Sequence, residues 1–297
     1  MSDHRFFELP DLLEPGDLLV VNETRVRAAR LHGKRVGTGG HVELFLLGRR
    51  DNGLWNAVAR PARRLRTGVK IEFDGLTATV IRKGAGIVVV DLDAESPEEA
   101  IQAVGVVPLP PYFTGHLDDP ERYQTMFANE LGSAAAPTAG LHFTPNVVDA
   151  VKAKGVEMAT VDLHVSLDTF RPITAVDVED HEMHSEWCSV PVETVRAVSL
   201  ASRVIAVGTT VVRTLESFAI ADHVLEPGEK RTSLFIKPGY RFQIVDGLIT
   251  NFHMPGSTLL VLLAAFMGDR WRAAYESALE RGYRFLSFGD AMYAERA

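Results

Sequence analysis

The sequence predicts a mixed α+β protein, with a larger α/β domain built on a barrel-like sheet and an inserted small all-β barrel domain. Short β-rich runs separated by glycine-containing turns fill residues 33–105, a strand precedes them, and strands and helices follow them. The 297 residues, 46% of them hydrophobic, are enough for one large or two smaller domains. We therefore predict the barrel at 33–105 and the larger domain at 1–32 and 106–297.

The inserted segment contains five predicted strands. Turns of the Asp-Asn-Gly, Thr-Gly, Asp-Gly and Gly-Ala-Gly kinds separate them at regular spacing, which is typical of a small barrel or sandwich. The predicted strands are 41–47, 54–59, 69–73, 77–81 and 87–92.

The larger domain begins with a strand at 16–22 and continues after the barrel. Thr144 is the predicted N-cap of a helix with Pro145 at its first position, and Gly155 ends that helix. Further predicted elements are strands at 157–165 and 203–208, a hairpin at 241–252 that turns at Asp246-Gly247, and a helical stretch at 257–279 interrupted near Gly268-Asp269.

Composition excludes several classes of protein. A single cysteine rules out a disulfide framework and favours a reducing compartment. The first eight residues do not resemble a signal peptide, and the longest apolar stretch, residues 259–267, is too short to span a bilayer. We expect a cytoplasmic protein without membrane contact, and a monomer.

The charge distribution leaves two interpretations open. A net charge of −8 argues against a general nucleic-acid binder, yet two basic islands interrupt the acidic surface. These islands either meet an RNA backbone or are simply solvated. They comprise Arg25, Arg27, Arg30, Lys34 and Arg35, and then Arg60, Arg63, Arg64, Arg66 and Lys70.

Stretches of small and polar residues mark the candidate site. Residues 132–144 read GSAAAPTAGLHFT, a composition that buries little area and leaves the backbone open to a ligand. Similar stretches occur where predicted strands end, which is the usual place for ligands in α/β folds. They are residues 163–172, 207–217 and 250–260.

Histidines are concentrated in these stretches and in the segment HEMHSE at 181–186. Imidazole suits proton transfer near neutral pH, although a single histidine in such a place is more often a structural hydrogen-bonding group. The candidate catalytic residues are His142, His164, His181, His184 and His253.

Metal and dinucleotide sites are disfavoured. His181 and His184 with Glu186 are candidates for zinc ligands, but the helical metalloprotease pattern needs a spacing of four, and here it is three. No Gly-x-Gly-x-x-Gly motif opens a helix, so a Rossmann cofactor site is not expected. We expect neither a metal nor a permanently bound cofactor.

Arg213 follows a predicted strand in the segment VGTTVVRTLES. Its guanidinium could hold a carboxylate in a bidentate manner, such as that of a methionine moiety. The alternative is an internal ion pair with Glu216 at helical spacing.

Six motifs in order resemble those of the S-adenosylmethionine:tRNA ribosyltransferase-isomerase family of queuosine biosynthesis. They are GSAAAPTAGLHFT at 132–144, LHVSLDTFRP at 163–172, HEMHSE at 181–186, VGTTVVRTLES at 207–217, TNFHMPGSTLL at 250–260 and YRFLSFGDAM at 283–292. The resemblance covers nearly the whole chain and implies the same inserted-barrel arrangement.

The resemblance also implies an activity: transfer and isomerisation of the ribosyl part of S-adenosylmethionine onto 7-aminomethyl-7-deazaguanine in tRNA, giving epoxyqueuosine with loss of adenine and methionine. S-adenosylmethionine is then a co-substrate and tRNA a partner. The expected tRNA-binding residues are Arg25, Arg30, Arg63, Arg64 and Arg66. The expected substrate-binding residues are Thr138, Gly140, Thr169, Arg171, Glu186, Thr209, Thr210, Arg213, Asn251 and Asp290.

The sequence departs from the family pattern in three places. A family member usually carries a further strand-bearing segment before the point where this sequence begins. Ser166, Leu167 and Asp168 stand where Gly-Leu-Gly is expected, and 113–116 lack an expected arginine. These departures leave open a diverged paralogue with another substrate. Two alternatives from other classes also remain: a non-catalytic RNA-binding or regulatory relative, and a metal-dependent hydrolase that elemental analysis for zinc would reveal.

Overall fold

The computed structural model describes residues 1–50, 52–84, 86–110, 112–113, 115, 117–166, 169, 172–175 and 177–297. The chain divides into two compact units. The larger unit comprises residues 1–25 and 115–297, and the smaller comprises residues 26–114. The barrel segment predicted at 33–105 lies within the smaller unit.

The strands are numbered in chain order. Two come first: β1 Asp17–Asn22 and β2 Thr24–Val26. The smaller unit then contributes β3 Arg30–Arg35, β4 His41–Arg49, β5 Trp55–Arg60, β6 Lys70–Phe73, β7 Leu76–Gly84 and β8 Ile87–Asp93. The rest are β9 Glu130–Ser133, β10 Glu157–Leu163, β11 Glu186–Val190, β12 Arg203–Val207, β13 Ala219–Ala221, β14 Val224–Leu225, β15 Gly228–Thr232, β16 Gly247–Asn251 and β17 Ala291–Glu295.

The helices are fewer and short. The α-helices are α1 Pro97–Val104, α2 Pro145–Ala153, α3 Val192–Leu200, α4 Thr209–Phe218, α5 Thr258–Met267 and α6 Arg270–Glu280. Short 3₁₀ helices cover Phe6–Leu12, Ala62–Arg64, Pro120–Tyr123, Thr138–His142 and Val178–Asp180.

The smaller unit is a closed antiparallel barrel in the order β3-β4-β5-β8-β7-β6. The prediction of a small barrel is confirmed, but the barrel has six strands and only five of them were predicted. Strand β3 was not predicted because Gly33 looked like a boundary. Instead, Gly33 lies inside the strand, where an added Cβ would come within 2.6 Å of the Glu72 carbonyl oxygen and 2.7 Å of the Phe73 ring. The glycine therefore lets two barrel strands approach closely.

The larger unit is built on a seven-stranded sheet in the order β15-β11-β10-β1-β12-β16-β17. The central strands β10, β1, β12 and β16 are parallel, whereas β11, β15 and β17 join in an antiparallel sense. The order runs from β15 at one end to β17 at the other. Among the described residues, only the barrel of the smaller unit is closed, so this sheet does not have the barrel-like form that we expected.

Helices cover both faces of the large sheet. Leu18 and Val20 of β1 pack in a core with residues of α4, α5 and α6. Leu19 and Val21 of the same strand pack in a second core with α2 and the 3₁₀ helix Phe6–Leu12. All six residues of β1 are buried, because a central strand covered on both faces has no solvent side. We call these two faces the α4 face and the α2 face.

Local signals explain several of these elements. The Thr144 hydroxyl accepts a hydrogen bond from the Val147 N–H at 3.4 Å, which confirms the predicted cap of α2, and Gly155 follows the helix at φ +85°. The predicted break near Gly268 is also confirmed, since α5 ends at Met267 and α6 begins at Arg270.

The predicted hairpin at 241–252 is wrong, since only β16 forms there. The backbone N–H groups of Gln243, Ile244 and Val245 donate to the buried Glu216 carboxylate at 2.9–3.1 Å. These hydrogen bonds take the place of a strand partner.

No helix in the described part of the chain is both long and apolar enough to cross a membrane.

Candidate active site

The carboxyl ends of four parallel strands meet at one edge of the large sheet. Asn22 ends β1, Asn251 ends β16, His164 follows β10 and Gly208 follows β12. The order places β10 on one side of β1 and β12 on the other, and the connecting helices α2 and α4 lie on opposite faces. A sheet of this topology has a crevice outside the strand ends, where ligands bind. The candidate site therefore lies at this edge.

Two antiparallel strands begin at the same edge. The His164 N–H donates to the Trp187 carbonyl at 3.0 Å, so Glu186, the first residue of β11, lies beside the end of β10. Asn251 pairs with Ala291, so Asp290 lies just before the start of β17 beside the end of β16. Strand register thus brings together motifs that are far apart in the sequence.

The side chains at this edge divide between the two faces, because successive strand residues alternate. Glu186 precedes Cys188 by two residues, and Cys188 packs in the core of the α4 face. Asn251 follows Ile249 by two residues, and Ile249 packs in the core of the α2 face. We call the first group, Glu186, Arg213, His184, Thr169 and Ser166, the Glu186 cluster. The second group, His142, Asn251, Thr138 and Phe6, is the His142 cluster.

The Glu186 cluster is centred on a carboxylate that is only 2% exposed. One oxygen accepts a short hydrogen bond from Arg213 Nη1. The other accepts the Ser166 N–H at 2.7 Å and the Thr169 hydroxyl at 3.2 Å, and it lies 3.2 Å from His184 Nε2. The structure therefore brings four of the predicted site residues together around one buried charge.

These contacts determine the protonation of Glu186. Burial alone would raise the pKa of this carboxyl. The hydrogen bond from His184, the charge of Arg213 and the Ser166 N–H outweigh burial and lower the pKa to about 2. Glu186 is therefore a carboxylate at every pH near neutrality, and it fixes the position of Arg213.

The alternative prediction, an ion pair between Arg213 and Glu216, is wrong. The Glu216 carboxylate accepts the Tyr240 hydroxyl at 3.1 Å together with the backbone N–H groups of residues 243–245. Arg213 instead pairs with Glu186, and its Nε donates to the Leu234 carbonyl at 3.1 Å.

The His142 cluster is a chain of hydrogen bonds on the α2 face. The Thr138 hydroxyl donates to Asn251 Oδ1 at 2.8 Å, which turns the Asn251 amide nitrogen toward His142 Nε2 at 3.1 Å. Since the amide nitrogen donates, Nε2 accepts and the imidazole proton lies on Nδ1. The Phe6 ring stacks on the imidazole at 5.1 Å between centroids. His142 is therefore held as a neutral ring that carries its proton on Nδ1.

Charges near His142 act in opposite directions. Burial lowers the pKa of His142, the Asp290 carboxylate raises it and the Arg284 guanidinium lowers it again, with a net decrease. Asp290 accepts hydrogen bonds from the backbone and guanidinium of Arg284 at 2.7 and 2.9 Å, and the Arg284 side chain lowers the pKa of Asp290. Asp290 is thus an ionised group near the neutral His142.

His164 forms a pair with Asp162 on the α2 face. Their Nε2 and Oδ2 atoms are 3.2 Å apart, and the side chains are 33% and 7% exposed. The imidazole lies 4.4 Å from the Trp187 ring and directly over Gly132, where an added Cβ would come within 2.1 Å of it. The imidazole is therefore oriented by a buried carboxylate and remains open to the edge of the sheet.

The remaining predicted histidines have different surroundings. His253 Nε2 lies 2.9 Å from the Thr250 hydroxyl, the backbone N–H of His253 donates to the Tyr275 hydroxyl, and burial lowers the pKa of His253 to about 4. These contacts are typical of a structural histidine. His181 packs edge-on against Phe235 at 5.4 Å. Within the described residues, no three His, Cys, Asp or Glu side chains are placed to hold a metal ion.

The start of α4 contributes Thr209 and Thr210, both buried. Its N-cap is Gly208 at φ +97°, so no side chain caps the helix. Gly140 lies in the 3₁₀ helix Thr138–His142, where an added Cβ would meet Thr125 at 3.0 Å. Arg171 and Asp168 lie outside the described residues.

The second basic island lies on the smaller unit. Arg63, Arg64 and Arg66 are exposed, and none forms an ion pair with another described residue. Leu65 between them is 1% exposed and anchors the segment. Within the described part of the chain, these three arginines are therefore among the exposed charges of this island.

In the first basic island, some of the arginines form ion pairs with acidic residues. Arg25 pairs with Glu121 at 2.5 Å, and Arg27 pairs with Glu98 at 2.9 Å. Arg30 is half-buried, and its Nε has no partner in the described part of the chain. The interpretation as structural or solvated charge fits Arg25 better than phosphate contact.

Sequence reasoning missed Asp162, Trp187 and Phe6. The sequence did contain an indication of Asp162. Residues two apart in a strand share a face, and Asp162 precedes His164 by two. Phe6 carries no local signal, since only the packing of the N-terminal 3₁₀ helix brings it to His142.

Comparisons with known proteins agree with the resemblance seen in the motifs. Residues 1–294 match the family model described as queuosine biosynthesis protein. S-adenosylmethionine:tRNA ribosyltransferase-isomerases from Moorella thermoacetica and Symbiobacterium thermophilum are 48% and 49% identical, over 98% of this chain and 88% of each relative.

A solved structure also matches. The S-adenosylmethionine tRNA ribosyltransferase of Thermotoga maritima is 36% identical, with a TM-score of 0.50 over 97% of this chain and 85% of that protein. By sequence and by fold, this chain belongs to the queuosine biosynthesis protein family.

Proposed function

We propose that this protein is an S-adenosylmethionine:tRNA ribosyltransferase-isomerase. It moves the ribosyl part of S-adenosylmethionine onto 7-aminomethyl-7-deazaguanine in tRNA, isomerises it to the epoxycyclopentanediol of epoxyqueuosine, and releases adenine and methionine. The observation that carries this proposal is the 48–49% identity to enzymes of that name over 98% of the chain. It favours the enzyme over a non-catalytic relative.

The geometry of His164 supports a role in proton transfer. The reaction needs a base for the carbon beside the sulfonium, and such a base must be oriented and within reach of substrate. His164 meets both conditions, because Asp162 holds one ring nitrogen while a third of the side chain is exposed. We therefore assign His164 as the acid–base residue and Asp162 as its positioning residue.

The His142 cluster supports a second role. Adenine leaves as a nitrogen base, and its departure is helped by a fixed donor near the developing charge. His142 presents its Nδ1–H in a fixed orientation, since Asn251 occupies Nε2. We assign His142 as a donor to the leaving base, with Thr138 and Asn251 as its positioning residues.

The co-substrate and partner follow from the proposed reaction. S-adenosylmethionine is consumed rather than permanently held, and tRNA is the acceptor. A cytoplasmic location fits a tRNA substrate, and a monomer is the state that we propose.

The direct test is turnover with labelled S-adenosylmethionine. The protein should release adenine and methionine only when tRNA carrying the deazaguanine precursor is present, and nucleoside analysis should find epoxyqueuosine. Release of adenine without tRNA, or the absence of S-adenosylmethionine binding by calorimetry, would contradict the proposal.

The exposed island on the smaller unit leads to a prediction about tRNA binding. The double variant Arg63→Glu, Arg64→Glu should weaken tRNA binding and reduce its salt dependence, with about one unit of log–log slope lost for each phosphate contact removed. Fluorescence anisotropy at several salt concentrations measures both quantities.

The control reverses two exposed charges elsewhere. The variant Lys152→Glu, Arg272→Glu changes the net charge equally, at α2 and α6 of the larger unit. This control variant should retain most of the log–log salt slope of tRNA binding. If both double variants lose the same slope, net charge rather than contact at Arg63 and Arg64 explains the effect.

A further inference from the structure

The helix α4 begins at the switch point, where the Val211 and Val212 N–H groups donate to the Gly208 carbonyl at 3.1 and 3.3 Å, so the Thr209 and Thr210 N–H groups form the N-terminal end of the helix backbone. Gly208 caps it without a side chain, and the first N–H groups of a helix have no acceptor within the helix. The positive end of the helix dipole adds to an electropositive environment.

Two buried side chains on this helix each have one polar atom without a hydrogen-bond partner among the described residues. Thr210 is 9% exposed and Arg213 is 4% exposed. Neither Thr210 Oγ1 nor Arg213 Nη2 has a hydrogen-bond partner among the described residues. The two residues are three apart, so they lie on the same face of α4. An unsatisfied buried donor costs free energy, and a ligand that accepts from both would recover it.

The other donors of Arg213 are already used. Nη1 binds Glu186 and Nε binds the Leu234 carbonyl, so the guanidinium is fixed, and Nη2 is its one nitrogen without a partner among the described residues. Both Glu186 oxygens are likewise occupied by Arg213, Ser166 and Thr169. The cluster therefore offers donors to an incoming group rather than acceptors.

We infer that Thr210 Oγ1, Arg213 Nη2 and the N–H groups of Thr209 and Thr210 form a subsite for a carboxylate, and that its occupant is the methionyl carboxylate of S-adenosylmethionine. This inference rests on the proposed function. A carboxylate is small enough for donors that are at least nine-tenths buried, whereas a phosphate within a tRNA backbone needs an open surface. The Arg213 guanidinium already offsets the negative charge of Glu186, so Glu186 does not exclude a carboxylate from the subsite.

The test compares S-adenosylmethionine with decarboxylated S-adenosylmethionine, which lacks only the carboxylate. In Thr210→Val the side chain keeps its shape and loses its hydroxyl. Calorimetry should show about tenfold weaker binding of S-adenosylmethionine and little change for the decarboxylated compound. Thr210→Ser, which restores a hydroxyl, should bind S-adenosylmethionine much as the unchanged protein does.

The matched control is Thr214→Val, one turn further along α4. The Thr214 hydroxyl already donates to the Thr210 carbonyl at 2.9 Å, so its loss should not distinguish the two compounds. Equal weakening of both compounds by Thr210→Val, or no weakening of either, would overturn the subsite and leave the proposed function standing. Weaker tRNA binding with unchanged S-adenosylmethionine binding would also overturn it. An unchanged protein that does not bind S-adenosylmethionine would overturn both.

Discussion

Glu186→Gln should lower the free energy of unfolding by about 3–5 kcal/mol, because it leaves the Arg213 guanidinium buried without its counter-charge. Arg213 is 4% exposed, so water cannot replace the lost carboxylate without rearrangement of the site. Urea unfolding followed by circular dichroism measures the change. Activity should fall as well, because Glu186 fixes the guanidinium.

The pH dependence of this effect has a definite sign. The pKa of Glu186 falls from its ordinary 4.5 to about 2 in the folded protein. A lowered folded pKa stabilises the protein above the unfolded pKa, and this stability is lost as pH falls from 4.5 through about 2. This difference between the two pKa values of Glu186 corresponds to about 3 kcal/mol in the free energy of unfolding. The difference in free energy of unfolding between the unchanged protein and Glu186→Gln should therefore decrease as pH falls from 4.5 to about 2. It should stay constant from pH 5 to 8.

Glu182→Gln is the matched control, since Glu182 lies in the same segment and is exposed. It should change the free energy of unfolding by no more than about 0.5 kcal/mol. If Glu186→Gln behaves like Glu182→Gln, the buried ion pair does not stabilise the fold in the way that its contacts indicate.

His164→Asn should lower kcat by about 10²–10⁴-fold, the range expected for the loss of a general acid or base. The affinity for S-adenosylmethionine should change little, because the proposed carboxylate subsite lies on the other face of the sheet. Single-turnover kinetics with precursor-bearing tRNA separates the chemical step from product release.

Two further variants test the orientation of His164. Asp162→Asn removes the charge that holds the imidazole, and Gly132→Ala places a methyl group where the ring now lies. Both should lower kcat while KM for S-adenosylmethionine stays nearly constant, which a general loss of structure would not produce.

His223→Asn is the control for the histidine variant. His223 lies 3.7 Å from Asp246, which precedes the amino end of β16 and so belongs to the opposite edge of the sheet. It should retain activity. Full activity in His164→Asn would exclude His164 as the acid–base residue and leave His142 and His184 as the remaining candidates.

Elements with a local cause could be predicted from the sequence. The hydroxyl of Thr144 and the ring of Pro145 begin α2, and a glycine at positive φ separates α5 from α6, because these effects involve residues within one turn of each other. The hairpin at 241–252 failed for the opposite reason, since Glu216 captures its backbone N–H groups from another element.

The composition of the site was also readable from the sequence. Small residues and histidines at predicted strand ends indicated the edge of a sheet, and the six motifs indicated the family. What the sequence left open was the partner of each group. For Arg213, a ligand and Glu216 were predicted as alternative partners. All five histidines were predicted as catalytic candidates, with no distinction among them.

The sequence by itself determined the small barrel, the helices α2, α5 and α6, and the residues gathered at the strand ends, because local geometry and short-range patterns fix these features. Only the tertiary structure decided that Arg213 binds Glu186, 27 residues away, and that Thr138 binds Asn251, 113 residues away. It also decided that Gly33 belongs inside a strand. The physical reason is that such contacts depend on strand register and on which face of the sheet each side chain occupies, and a side chain acquires its hydrogen-bond partners only when distant strands are aligned.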